Sequence, residues 1–288
     1  MAITASVVQK LRKMTNAGMM ACKEALKESD GDLDAAAKIL REKGMTKAVK
    51  RAGRETSEGL VAAQVNGGTE GVIVEVNCET DFVAKNDNFQ AFVADITNTI
   101  ANSDVTDAEA AAAVAHGDGT VQDAMGAKFA ELGEVIKIKR LNRYSLAANG
   151  TIASYIHMGG KVGVILELTC GKAETAATET FQELARDLCL HTAASNPAGL
   201  NRDDIDASTI EEEKEISRKQ LLDEGKPEQI IEKILVGKIN KFYSEVCLVD
   251  QAFVKDDKVS ITELLTAKGK ELDDSLSIAR YERYTIGA

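Results

Sequence analysis

The sequence predicts an α+β protein. It opens with a bundle of three short helices, followed by two duplicated subdomains with small antiparallel sheets and helices, the second carrying a helical hairpin. Three observations predict this. Apolar residues keep helical spacing through Lys43 and then change to β-branched, strand-like runs from Leu60 onward. A block starting at Gly71 recurs at Gly163, an offset of 92, and a later block recurs at an offset of 140. The difference leaves about 48 residues of the second copy without a counterpart in the first.

Thr4 or Ser6 can cap a first helix that carries Val7, Val8 and Leu11 on one face, until Thr15-Asn16-Ala17-Gly18 interrupts it. Met19 to Lys27 makes a second helix, Asp30-Gly31-Asp32 a turn, and Leu33 to Lys43 a third helix that Gly44 is expected to stop. Met19 and Met20 follow a turn and are adjacent, so at least one of the two is expected to face outward. Met45 to Arg54 carries Lys47, Lys50, Arg51 and Arg54 with no acid, which reads as a solvated connector or as a contact for an acidic partner.

Each copy then reads as strand, Gly-Gly turn, strand, helix, further helix and third strand. Leu60 to Val65 and Val72 to Val76 flank Asn66-Gly67-Gly68, a hairpin pattern. Phe89, Phe92, Val93 and Ile96 repeat at helical spacing, and Leu184, Leu188 and Leu190 do so less regularly. Third strands alternate through Ile136, Ile138 and Tyr144 and through Ile278, Tyr284 and Ile286, with an imperfect phase. Within the extra segment, Ile210, Ile216 and Leu221 form a thin stripe on an acidic helix, and Ile231, Leu235, Phe242 and Val246 mark a second one. Asp223-Glu224-Gly225-Lys226-Pro227 joins them into an expected antiparallel hairpin, either a partner-binding or self-associating surface or a plain structural insertion.

Composition narrows the function classes. A net charge of −11 argues against a nucleic-acid binder that relies on bulk charge, and aromatics at 4% with no Trp argue against a base-stacking platform. Five scattered cysteines without a Cys-x-x-Cys pair read as reduced thiols. No apolar run approaches the roughly 18 residues of a spanning helix, and no signal sequence is legible, so a cytoplasmic location and no membrane partner are expected. His116, His157 and His191 lie in unrelated contexts, with no metal-ligand spacing and no order suited to nucleophilic catalysis. Neither metal nor cofactor is expected, nor an enzyme. His157 adjoins the second Gly-Gly turn and reads as a hydrogen-bonded structural imidazole. Gly159-Gly160-Lys161 leads into a strand and lacks the ending of a phosphate loop.

The duplication supplies a sharper search, because a function held by one copy should show as a local difference. The largest difference follows the second strand: Glu79-Thr80-Asp81-Phe82-Val83-Ala84-Lys85-Asn86 in the first copy stands over Gly171-Lys172-Ala173-Glu174-Thr175-Ala176-Ala177-Thr178 in the second. Phe82 is either a local core plug or an exposed probe, and these residues alone favour the plug. Exposed, an aromatic backed by a carboxylate suits a partner's pocket.

Taken together, Ala17-Gly18-Met19-Met20, Cys22-Lys23-Glu24-Ala25-Leu26, Asn77-Cys78-Glu79-Thr80-Asp81-Phe82-Val83-Ala84-Lys85-Asn86, Tyr155-Ile156-His157 and Leu248-Val249-Asp250-Gln251-Ala252-Phe253 resemble the bacterial elongation factor Ts family, in order along nearly the whole chain. The resemblance implies a guanine-nucleotide exchange factor for elongation factor Tu, bound both to its GDP form and to its nucleotide-free form. It implies a ubiquitin-associated (UBA-like) amino-terminal fold that docks on the GTPase domain through positions matching Arg12, Met19 and Met20. Thr80, Asp81, Phe82 and Val83 match the intruding exchange loop, which reverses the preference for a core plug. Leu132, Gly133 and His157 match less secure contacts. The hairpin matches the family's coiled-coil insertion, through which a homodimer could form.

The expected divisions are residues 1–54 for the bundle and basic linker, 55–147 for the first subdomain, 148–275 for the second with its insertion at 203–247, and 276–288 for a final strand and short tail. A scaffold without exchange activity, or an RNA-binding accessory using the hairpin and linker, is the alternative, although no direct nucleic-acid binding is expected.

Overall fold

Three helices open the computed structural model, which describes residues 3–15, 19–51 and 55–288. They are α1 (Ala5–Thr15), α2 (Met19–Glu28) and α3 (Leu33–Arg51). Val8, Leu11, Cys22, Ala25, Leu26, Ala36 and Leu40 pack as their common core. The Asp32 carboxylate accepts from the amides of Asp34 and Ala35 at 2.9 and 2.8 Å and so starts α3. Gly44 does not stop this helix, which runs on to Arg51. A glycine inside a helix costs only about 1 kcal/mol, so it ends one only where the chain has another place to go. The interruption at residues 16–18, the side chains of the basic run at 45–51 and the linker residues 52–54 lie outside the described residues.

The first lobe consists of β1 (Glu58–Asn66), β2 (Glu70–Cys78), α4 (Asp81–Ala84), α5 (Asp87–Ala101), α6 (Ala108–Ala112), the short pair β3 (Ala115–His116) and β4 (Gly119–Thr120), α7 (Val121–Leu132) and β5 (Lys137–Ser145). The second repeats the plan with β6 (Gly150–His157), β7 (Val162–Cys170), α8 (Ala173–Ala176) and α9 (Glu179–Ser195). It then inserts α10 (Ala207–Asp223) and α11 (Glu228–Val246), and resumes with β8 (Ala252–Phe253), β9 (Asp256–Ser260), α12 (Ile261–Glu271) and β10 (Leu276–Thr285). Both sheets are antiparallel, with β2 between β1 and β5, and β7 between β6 and β10. The short strand pairs β3–β4 and β8–β9 were not legible in the residue pattern.

Each sheet is covered on both faces. Val72, Val74 and Val76 of β2 pack with Phe89, Ile96 and Ile100 of α5, and Val164, Leu166 and Leu168 of β7 pack with Phe181, Leu184 and Leu188 of α9. The opposite faces meet each other through Val61, Ile73 and Tyr144 of one sheet and Ile152, Ile165 and Tyr284 of the other. The layers therefore run helix, sheet, sheet, helix, which explains why β2 and β7 read as nearly continuous apolar runs.

Two irregularities correct the repeat. Val76 faces Ile138 while Glu75 faces Arg140, so Lys139 is an extra residue in β5. Ile278 and Arg280 of β10 enclose Ala279 in the same way. This shared bulge is why the third strands alternate out of phase. The offset of 92 also does not reach the first strand of each hairpin. The strands pair as Glu58 with Cys78 but Gly150 with Thr169. Gly59 and Gly150 fill equivalent places, where a Cβ would lie 2.2 and 2.3 Å from the carbonyls of Val76 and Leu168. Met158, at φ +50, is the additional residue of the second turn.

In the helical hairpin, Leu221, Ile231 and Leu235 form a small core, and Ile210, Ser217 and Ile239 are also buried. Ile216, placed on the buried stripe from its sequence, is 46% exposed instead. Residues 210, 217 and 221 follow the helical repeat, whereas 216 stands about 100° away from 217. Among the described residues, no helix is long and apolar enough to cross a membrane.

Candidate functional site

Thr80, Asp81, Phe82 and Val83, the residues expected to form an exchange loop, sit where β2 ends and α4 begins. Thr80 is the N-cap of α4, its backbone extended at φ −128°, ψ 155°, and its hydroxyl accepts from the Val83 amide at 3.4 Å. Neighbouring positions on so short a helix point in divergent directions. Val83 and Ala84 turn into the first-lobe core, and Phe82 turns out to 82% exposure, the highest of the large apolar side chains among the described residues. The core-plug reading of the residues is thereby overturned: Ala84 and Val83 already fill the space beneath. Phe89 and Phe181, equivalent in the two lobes, are both fully buried, whereas Phe82 has Glu174 as its counterpart.

Asp81 is paired with Lys85 one helical turn on, with 2.7 Å between carboxylate and ammonium. That hydrogen bond is the main cause of a pKa below the ordinary carboxylate value, and the more distant Lys161 adds to it. Asp81 is therefore an anion at neutral pH. Lys161 belongs to the turn between β6 and β7 and is ion-paired with Glu58 of β1. The turn of the second lobe thus approaches the first lobe, and Gly160 lies so close to Leu60 that a Cβ would be 2.7 Å from its Cδ2.

Leu132 and Gly133 are linked to the Thr80–Val83 turn through the residue that follows them. Leu132 packs partly against the first-lobe core and Gly133 caps α7 in the left-handed region at φ +79°. Glu134 then turns back: its Oε2 accepts from the amides of Glu79 and Thr80 at 3.1 and 3.0 Å, and its Oε1 accepts from the Thr80 hydroxyl at 2.6 Å. The Val135 amide donates to Glu79 Oε1 at 2.9 Å. Sequence reasoning singled out neither Glu134 nor Glu79. The signal was available in the duplication, since Asp274 stands at the same place in the second lobe and accepts from the Gly171 and Lys172 amides at 3.0 and 2.9 Å.

The remaining predicted residues form separate patches. Met19 and Met20 begin α2 and are 56% and 68% exposed, because Cys22, Ala25 and Leu26 take the buried face. Both face outward, one more than adjacency alone requires. Arg12, on α1, is exposed as well. His157 ends β6, exposed, with its Nδ1 3.1 Å from the Tyr155 hydroxyl and its ring stacked on that of Tyr155. It is hydrogen-bonded as expected, but on the surface.

The five cysteines are buried and none is in a disulfide, and burial raises the Cys78 thiol to about 12, far from a reactive thiolate. No group of three or more His, Cys, Asp or Glu side chains is placed to hold a metal ion among the described residues. What the molecule offers is an aromatic ring and a carboxylate held outward on a braced turn and, as a separate patch, exposed methionines on the amino-terminal bundle.

Comparison with known proteins gives the same direction. A family model described as Elongation factor TS matches residues 79–288. A protein named Elongation factor Ts from Trichlorobacter lovleyi is 44% identical, over 100% of this chain and 93% of its own length. Relatives of the same name from Clostridium perfringens (strain SM101 / Type A) and Nitratidesulfovibrio vulgaris (strain DP4) are 45% and 43% identical, over 99% and 100% of this chain and 93% and 96% of their own lengths.

Proposed function

The chain belongs to the elongation factor Ts family, and from that premise we infer that it is the guanine-nucleotide exchange factor for elongation factor Tu in translation elongation, with the Asp81-Phe82 turn as its exchange element. The observation that carries the second part is the exposure of Phe82 on a turn whose counterpart in the second lobe has no aromatic. Phe82 enters between helices of the GTPase domain near the nucleotide, and Asp81 helps hold them in the displaced arrangement. The displacement disturbs the coordination of Mg²⁺ and the phosphate-binding loop, so the charge of the diphosphate is less well compensated and GDP leaves.

No covalent bond changes. The factor and the nucleotide each weaken the other's binding by the same ratio, which is coupling between two sites. A thousandfold faster release needs about 4 kcal/mol at ~1.4 kcal/mol per decade. Burying one exposed aromatic contributes roughly 1.5–3 kcal/mol. The ring alone falls short, so other surfaces must share in driving the distortion. Arg12, Met19 and Met20, on a bundle of UBA-like form, are the docking contacts to the GTPase domain. Leu132, Gly133 and His157 are secondary ones.

The helical hairpin, read as a coiled-coil insertion at 203–247, carries exposed Ile216, Leu222, Ile230 and Val236, which supports a second contact surface and a homodimer through it. The division into 1–54, 55–147, 148–275 and 276–288 fits this assignment of roles, with the last segment supplying β10 to the second sheet. The site of action is the cytoplasm, where translation occurs. The test is the rate of GDP release from elongation factor Tu with and without this protein. Stimulation that is lost in Phe82→Ala and weakened in Asp81→Ala supports the exchange element. Stimulation at the unmodified rate in both variants removes it.

A further inference from the structure

We propose that Glu134 is a positioning residue for nucleotide exchange: it holds the Thr80 cap and thereby the outward aim of Phe82. This rests on the reading of Phe82 as the exchange element. Glu134 Oε1 lies 2.6 Å from Thr80 Oγ1 and, as a carboxylate, can only accept, so the hydroxyl points its hydrogen at Glu134. The Thr80 lone pairs are then free for the Val83 amide at 3.4 Å. One carboxylate thus fixes both the backbone entering α4, through the Glu79 and Thr80 amides, and the cap of the helix that displays Phe82.

The second lobe shows which part of this is needed only for folding. Asp274 makes the two backbone bonds there and also bonds the Thr175 side chain, inside α8, yet the residue at the Thr80 place is Lys172, which gives α8 no side-chain cap. The residue at the Glu79 place is Gly171, so the return bond to Val135 also has no side-chain equivalent. Both lobes tie the end of the central strand to the segment after their last helix. Only the lobe that carries the exposed ring places the carboxylate-bonded hydroxyl on the N-cap residue itself, where it also accepts from the helix, and adds the reciprocal Glu79 bond. An aromatic must be held in one orientation to enter a pocket productively, and a four-residue helix has too few internal hydrogen bonds to hold it alone.

The experiment compares Glu134→Ala, Asp274→Ala, Phe82→Ala and the double variant Glu134→Ala/Phe82→Ala. Each is checked for folding by circular dichroism and assayed for GDP release from elongation factor Tu across a range of factor concentration. The expected results are a loss of about tenfold in saturating stimulated release for Glu134→Ala, a change within about twofold for Asp274→Ala, and a double variant no worse than Phe82→Ala. A merely structural role would make the losses multiply and would affect the two lobes alike.

Full activity in folded Glu134→Ala, an equal loss in Asp274→Ala, or multiplying losses in the double variant overturns the proposal while the role of Phe82 stands. Unchanged release in Phe82→Ala overturns both. Should Glu134→Ala not fold, Glu134→Gln takes its place: it preserves volume, replaces one acceptor oxygen by a donor and carries the same expectations.

Discussion

Phe82 and Phe89 lie close together in the chain and answer to opposite requirements. Phe89 is fully buried between α5 and β2, and its equivalent Phe181 is fully buried in the other lobe, because both cores need that volume. Phe82 is held in water, where its ring adds nothing to folding and stays available to a partner. Phe82→Ala is therefore expected to change unfolding free energy by less than about 0.5 kcal/mol in a urea titration. Phe89→Ala is expected to lose about 3–5 kcal/mol in the same titration. In the exchange assay Phe82→Ala should slow stimulated GDP release by about ten- to a hundredfold, the rate equivalent of one aromatic's burial.

At the scale of elements, the helical hairpin is held to the second lobe by a buried histidine. The Val254 amide donates to His191 Nδ1 at 3.2 Å, so the ring's hydrogen is on Nε2, which faces Gln251 Oε1 at 3.1 Å. Gln251 in turn donates to the Glu245 carbonyl at the end of α11 at 2.8 Å, so α9 and the hairpin root share one network. Burial lowers the His191 pKa below its ordinary 6.5. The unfolded chain therefore takes up a proton before the folded chain does. Stability is complete above about pH 6.5 and declines as pH falls through the window beneath it. Denaturant titrations at about pH 7.5 and 5.5 should show a smaller decline for His191→Gln than for the unmodified protein. Midway along α11 of the same hairpin, Val236 is 64% exposed. Val236→Glu is expected to leave stimulated release unchanged and to abolish concentration-dependent self-association in sedimentation velocity.

The whole molecule is held together by a contact that repeats itself across the two sheets. Glu75, fully buried, is paired with Arg140 at 2.6 Å and with Lys139 at 3.3 Å, and Glu167 is paired with Arg280 at 2.7 Å. Each arginine then crosses to the other lobe: Arg140 lies 4.1 Å from the Tyr284 ring centre and Arg280 4.0 Å from that of Tyr144. Their guanidinium groups also donate to the carbonyls of Thr285 and Ser145, respectively. Asn142 donates to Glu282 at 3.0 Å, and these two occupy the same place in their respective strands. Arg140→Ala leaves Glu75 buried with Lys139 as its remaining cation. An expected loss of about 3 kcal/mol in unfolding free energy lies at the low end for a broken buried pair, because Arg140 retains some contact with solvent.

Patterns local in the chain already specified much of this protein. The helix of Phe89, Phe92, Val93 and Ile96, the hairpin around Gly67-Gly68 and the duplication are written in spacing, because a helix or strand buries whichever residues its period places on one side. The singularity of Asp81-Phe82 was also legible, since its sibling lacks it. Whether that ring faced inward or outward was not: this depended on Val83 and Ala84 occupying the space beneath it, a matter of packing between residues that periodicity does not rank. The role of Glu134 was hidden for the same reason, as its partners are more than fifty residues away in the chain. Extra residues at Lys139, Met158 and Ala279 shift strand pairing by one place, and only the paired backbones reveal where the shift falls. The arginines that cross between the sheets could not be assigned partners until two separate sheets were brought face to face.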